Sequence, residues 1–132
     1  MIRIRHSFKP YQELEIGASA SEFAKLRSAI LDFCEALEPT VEVPVQSEFD
    51  PTPGQRKLVH LCLCRTEDPL LISVADGKLF ISGKSKFLRL FAENLPCQPR
   101  SACAAADRVH FGRVEGDERI SEASVEIVLT LE

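Results

Sequence analysis

Hydrophobic and polar residues alternate at the start of the chain, with Ile2 and Ile4 on one side and Arg3 and Arg5 on the other. A period of two marks a half-buried strand, so a strand is predicted over residues 2–6, broken by Lys9-Pro10. Residues 12–16 repeat the alternation, Leu14 and Ile16 against Glu13 and Glu15. The period then changes. Ser19 followed by Glu22 fits a capping box, in which each residue satisfies a backbone N–H that the first helical turn leaves unpaired. Phe23, Leu26, Ile30, Phe33, Cys34 and Leu37 follow on one helical stripe, with Lys25, Ser28, Asp32 and Glu35 opposite. Pro39 stops this helix.

Val41, Val43 and Val45 next alternate with Glu42 and Pro44. Proline cannot donate to a ladder, so this strand is expected at a sheet edge or to be irregular. Residues 47–56, with Pro51, Pro53 and Gly54, are expected to form a loop. Residues 58–65 are apolar on both faces, which predicts a central strand. Asp76-Gly77 lies between two strand-like runs, 70–75 and 78–82; both positions of this dipeptide tolerate positive φ, as a two-residue hairpin turn requires. A second helix is predicted over 85–95, capped by Ser85, with Phe87, Leu88, Phe91 and Leu95 as its buried stripe and Pro96 at its end. Residues 96–106 are expected to be loop. Strands over 108–114 and 125–131 close the chain, linked around Gly116; the last sets Val125, Ile127, Leu129 and Leu131 against Glu126, Val128 and Thr130.

The sequence shows no internal repeat and no dividing linker, so residues 1–132 are expected to form a single domain. Hairpin-like connections predominate. The pattern therefore predicts an α+β fold, a mainly antiparallel sheet of about six to eight strands with two helices packed on one face. The edge strand could pair with that of a second copy, so a homodimer through a sheet edge is a further expectation.

Charge narrows the partners. The formal net charge of −4 opposes sequence-independent nucleic-acid binding, which needs a basic field to displace counterions. No run approaches the roughly 20 apolar residues that cross a bilayer, and the alternating N-terminus lacks the apolar core of a signal peptide. A cytoplasmic protein is expected. The five cysteines, an odd number, then point to reduced thiols.

Candidate chemistry is sparse. Gly77 to Ser85 suggests a phosphate-binding loop, but five residues separate Gly77 from Gly83 where that motif has four, and Leu79-Phe80-Ile81 is strand material. His60, Cys62 and Cys64 project from one face of a predicted strand and form the candidate for a metal- or small-ligand-binding module, with Cys97 or Cys103 as a further ligand. One-residue spacing spreads ligands by roughly 6–7 Å per step, however, and cysteine also serves as a small apolar residue. Nothing in the pattern places a thiol at a helix N-terminus, where a nucleophile would be activated. Glu115, Asp117, Glu118 and Glu122 gather around Gly116, a wet turn that could attract a basic partner. The residues thus predict a binding protein, not an enzyme, with no cofactor.

A resemblance sharpens this picture. Leu71 to Gly83, Leu90 to Leu95, Val109-His110-Phe111 and Ile120 to Leu129 resemble a family of small bacterial immunity proteins encoded beside polymorphic toxins. The likeness covers about the C-terminal half; the N-terminal half shares only its plan. The family's final strand pair carries His-x-His-x-Glu and then a turn bearing tyrosine and glycine. Here His110 keeps the second histidine, Arg108 replaces the first, Gly112 replaces the glutamate, Arg119 falls where an aromatic is usual, and Ser124 matches. The resemblance implies a protein that docks on a cognate toxin and blocks its active site or substrate path. His110, Glu115, Asp117 and Glu118, polar and near one end of the sheet, are the candidate contacts.

Overall fold

The structure is a computed structural model that describes residues 2–7, 12–46, 48–51, 55–97, 108–112 and 117–132. Within them the chain is α+β, with two helices and nine strands. Strands β1 (Arg3–Ser7) and β2 (Glu13–Ala18) form an antiparallel pair, followed by α1 (Ala20–Glu35) and β3 (Thr40–Val43). Next come β4 (Gln55–Leu58) and β5 (His60–Arg65), then the hairpin of β6 (Leu71–Ala75) and β7 (Lys78–Gly83). Helix α2 (Ser85–Glu93), β8 (Arg108–Phe111) and β9 (Ile127–Leu131) complete the order.

The two helices and the mainly antiparallel pairing are as the pattern predicts, but the strands divide between two sheets instead of forming one. One sheet runs β4-β1-β2-β9-β8 and the other β3-β5-β7-β6. Each contains a parallel seam between strands distant in sequence, β2 with β9 and β5 with β7. Alternation specifies which side of a strand is buried; it carries no information about which strand lies alongside.

The topology contains a repeat that the residues do not. A hairpin, a helix and two further strands occur twice, as β1-β2-α1-β3-β5 and β6-β7-α2-β8-β9. The halves exchange strands: β2 of the first hairpin takes β9 and β8 from the second half, and β7 of the second hairpin takes β5 and β3 from the first. The flanks correspond in place but not in direction, β4 running antiparallel to β1 while Leu70 and Ile120 form a parallel bridge. β4 pairs with β1, while residues 119–125 run along β6, through Leu70 N to Arg119 O (2.8 Å), Ser121 N to Leu70 O (2.7 Å) and Val125 N to Ile72 O (2.9 Å). Each flank continues directly into the partner strand of the other sheet, so both sheets share one core. That core includes Ile4, Leu14, Ile16 and Leu129 from the first sheet, Leu61, Leu63, Leu79 and Ile81 from the second, and Phe23, Ile30, Leu88 and Phe91 from the helices.

Local signals explain most element ends. Ser19 accepts from Glu22 N (3.2 Å) and Glu22 accepts from Ser19 N (2.9 Å), completing the capping box. Asp76 and Gly77 take φ of 53° and 73°, as the hairpin turn demands. β3 is an edge strand and β5 lies centrally between β3 and β7, but the single strand expected over 58–65 is broken at Val59, with Leu58 ending β4 in one sheet and His60 opening β5 in the other.

Three further expectations need correction. Ser85 is the first residue of α2 and not its cap: Phe87 N and Leu88 N both donate to Lys84 O, which opens the helix one residue earlier. Residues 55 and 56, expected in a loop, begin β4; a short amphipathic strand next to Pro and Gly has no period long enough to announce itself. Leu37 leaves the buried stripe and is 98% exposed. The helix ends at Glu35, because the chain must turn extended before Pro39 to enter β3.

Candidate functional site

Two outer sheet faces and one groove gather the exposed polar groups. On the five-stranded sheet, register places Arg5, Glu15, Val128 and His110 in one row, with Arg3, Gly17, Thr130 and Arg108 in the next. Glu15 is the hub. Its carboxylate accepts from Arg5 Nη1 (3.1 Å), Arg108 Nη2 (2.9 Å) and Thr130 Oγ1 (2.9 Å). Glu132 pairs with Arg3 and reaches Arg5 at 3.8 Å, and the Arg5 guanidinium stands 5.3 Å over the Phe49 ring. His110 is exposed and contacts the Glu126 carboxylate at 3.2 Å.

Burial alone would raise the Glu15 pKa. The hydrogen bonds from Arg108 and Thr130, with the charges of Arg5 and Arg108, outweigh it and hold the carboxyl below its ordinary value of 4.5. A depressed folded-state pKa contributes stability that is present above the unfolded value and is lost as pH falls through the folded one. Glu15→Gln is therefore expected to lose about 1–2 kcal/mol at neutral pH, leaving Arg5 and Arg108 without their shared negative charge and setting an amide N–H where a carboxylate oxygen accepted. The gap between wild type and variant should shrink as pH drops below 4.5. Urea unfolding at pH 7 and pH 3 checks this; a constant gap refutes it.

The outer face of the four-stranded sheet carries the metal candidates. His60, Cys62 and Cys64 share this face, as their alternation predicts, and register sets Cys62 beside Phe80 and Cys64 beside Ser82. His60 Nδ1 contacts the Glu42 carboxylate across the sheet. Burial, followed by Glu42, pushes the Cys62 thiol up; burial, followed by Cys62, does the same to Cys64. Raised thiol pKa values oppose the thiolate that a metal or an electrophile needs. Among the described residues no three His, Cys, Asp or Glu side chains converge as metal ligands. Cys103 lies outside the described residues. Cys34 is buried in the α1 stripe, its thiol 3.6 Å from Ser85 O.

The remaining candidates fall into different surroundings. Glu115 lies outside the described residues. Asp117 is held by its own neighbour: Arg119 Nε and Nη2 donate to its two carboxylate oxygens at 3.0 Å each, and Arg119 N donates to one of them at 3.0 Å. This pairing raises the Arg119 pKa and fixes the turn, so the turn is not uniformly acidic. Glu118 and Arg119 line an open groove of about 600 Å³ with Lys86, Phe87, Arg89 and Leu90 of α2. His110 sits instead on the outer face of the other sheet. The Arg5–Glu15 pair was signalled by opposite charges on neighbouring strands. The joining of Arg108 and Thr130 to it needed the β2–β9 seam, which has no local signal.

No helix in the described residues is long and apolar enough to cross a membrane. No family model matches the chain, and no curated protein or solved structure is significantly similar to it.

Proposed function

We propose that this chain is a non-catalytic binding protein of the immunity type, which neutralises a partner toxin by covering it with the second half of the fold. The observation that carries the reading is where the family-like stretches fall. Residues 71–83, 90–95, 109–111 and 120–129 occupy β6, β7, α2, β8, the flank along β6 and the start of β9. The likeness thus runs along the second half of the chain, through a hairpin, a helix and the final strand pair.

The same unit carries the exposed groove between α2 and residues 118–119. Its wall interleaves Lys86, Arg89 and Arg119 with Glu118 and Glu93, around the apolar Phe87 and Leu90. Anchors of this kind, an apolar patch rimmed by mixed charge, are what a protein interface uses for affinity and orientation. A complex of ordinary size would bury on the order of 1,600 Å² in total. His110 and Glu118 are the residues assigned to contact the toxin, and Asp117 supports the turn through Arg119.

The test is co-expression with the product of the adjacent gene. Wild type is expected to co-purify with it and to rescue growth. Charge reversal at two exposed positions, Glu118→Lys with Lys86→Glu, is expected to weaken the complex more than tenfold, about 1.4 kcal/mol, without changing the melting temperature. Failure of the wild-type chain to bind that product or to protect cells sinks the reading.

A further inference from the structure

We propose that two copies of the chain pair antiparallel through β3, in one register centred on Val41. The inference is independent of the toxin reading. It begins with the direction of the backbone groups of β3. Arg65 N donates to Pro39 O at 2.8 Å, and residues 39 and 65 are opposite each other in the register that sets Thr40 against Cys64. In an antiparallel pair hydrogen-bonded and non-bonded positions alternate, so Val41 and Val43 bond to β5 while Thr40 and Glu42 turn N–H and C=O outward. Thr40, Val41 and Glu42 are all exposed.

The other described edges are closed to this use. β6 is flanked by residues 119–125. β4 presents Arg56 and Lys57 and β8 presents Arg108 and His110, basic residues that a two-fold pairing would set against their own copies.

Charge selects the register at β3. Centring on Glu42 would oppose the two Glu42 carboxylates, and centring on Thr40 would oppose Glu42 to Glu38. Centring on Val41 avoids both. Thr40 of each copy then exchanges backbone hydrogen bonds with Glu42 of the other, and Val41 meets its own copy at the non-bonded position where side chains approach closest. Val41, 41% exposed, and Leu37, 98% exposed, are the two large apolar residues most open to water among those described.

The same register finds a place for Leu37. Leu37 lies three residues before β3, beyond the paired stretch, at the end where the second copy leaves its own β3 at Pro44–Val45. There a mainly apolar groove of about 280 Å³ is lined by Ile2, Leu26, Ala29, Val43 and Pro44, with Glu22 and Lys25 at its side. A cavity of roughly 150 Å³ already accepts a benzene ring, so an isobutyl side chain fits. A protruding leucine and an apolar groove at opposite ends of one edge make that edge self-complementary, as a two-fold interface must be.

Sedimentation of the full chain under reducing conditions tests this. Wild type is expected to approach twice the 14.7 kDa chain mass as concentration rises. Leu37→Ser and Val41→Lys should each return it to the monomer mass with unchanged circular dichroism and melting, because neither side chain is part of the core. Mild oxidation of Val41→Cys should yield a covalent dimer that wild type does not form, the two Cα atoms lying about 4.5 Å apart. A wild-type chain that stays monomeric throughout, or a dimer that both variants leave intact, overturns the proposal; neither result bears on toxin binding.

Discussion

Phe91→Ala is expected to remove about 3–5 kcal/mol of folding free energy, the usual loss when a fully buried ring is deleted. Phe91 is 0% exposed. Its ring meets Phe111 edge-to-face, with centroids 5.2 Å apart and planes at 85°, a geometry that adds about 0.5–1.5 kcal/mol beyond area alone. The contact has a particular place in the architecture. It joins α2 to β8, the edge strand that the second half contributes to the sheet of the first. Domains of this kind are stable by only about 5–15 kcal/mol, so the variant should be close to unfolding at moderate temperature. Urea denaturation measures the loss directly. Hydrogen exchange should show β8 and α2 losing protection together with β1 and β2, because the β2–β9 seam couples them. A loss below about 1 kcal/mol would mean that the ring is not packed as described.

Arg65→Ala is expected to cost about 2–3 kcal/mol, through the end of α1 and not through strand β5 where the residue resides. A helix ends with carbonyls that have no partner within it. Here the Arg65 guanidinium supplies one: Nη1 donates to Phe33 O (3.2 Å) and Ala36 O (2.6 Å), and Nη2 donates to Glu38 O. Its positive charge also lies at the negative end of the helix dipole, and its carbon stands 5.0 Å from the Phe33 ring centroid. No basic residue occupies the last turn of α1 itself, so this function comes from across the fold. Arg65→Lys keeps the charge but not the planar fork and should recover only part of the loss. Thermal melts of the three proteins, with amide exchange at residues 33–36, would decide it. Equal stability of Arg65→Lys and wild type would show that charge alone suffices.

The exchange of strands gives both predictions their reach. Neither half can satisfy its own hairpin: β2 needs β9 and β7 needs β5. A hairpin alone is marginal in water, so each half depends on the other. Damage within one half should therefore reach the other through the shared seams and unfold the chain cooperatively.

What the residues determined by themselves was local. The Ser19–Glu22 box, the α1 stripe from Phe23 to Cys34 and the Asp76-Gly77 turn all follow from sterics and hydrogen bonding within a few residues. The face shared by His60, Cys62 and Cys64 likewise follows from the pleat. Tertiary structure decided the rest. It split one expected sheet into two, brought Arg108 and Thr130 to Glu15, and separated His110 from the Asp117–Arg119 turn. It also drew Arg65 to a helix end and left Leu37 in water. The physical reason is common to all of these. A periodic pattern records whether a side chain meets apolar matter or solvent, whereas the identity of the neighbour depends on which distant strand pairs alongside, and pairing energies between apolar strands differ too little to be written in either strand alone.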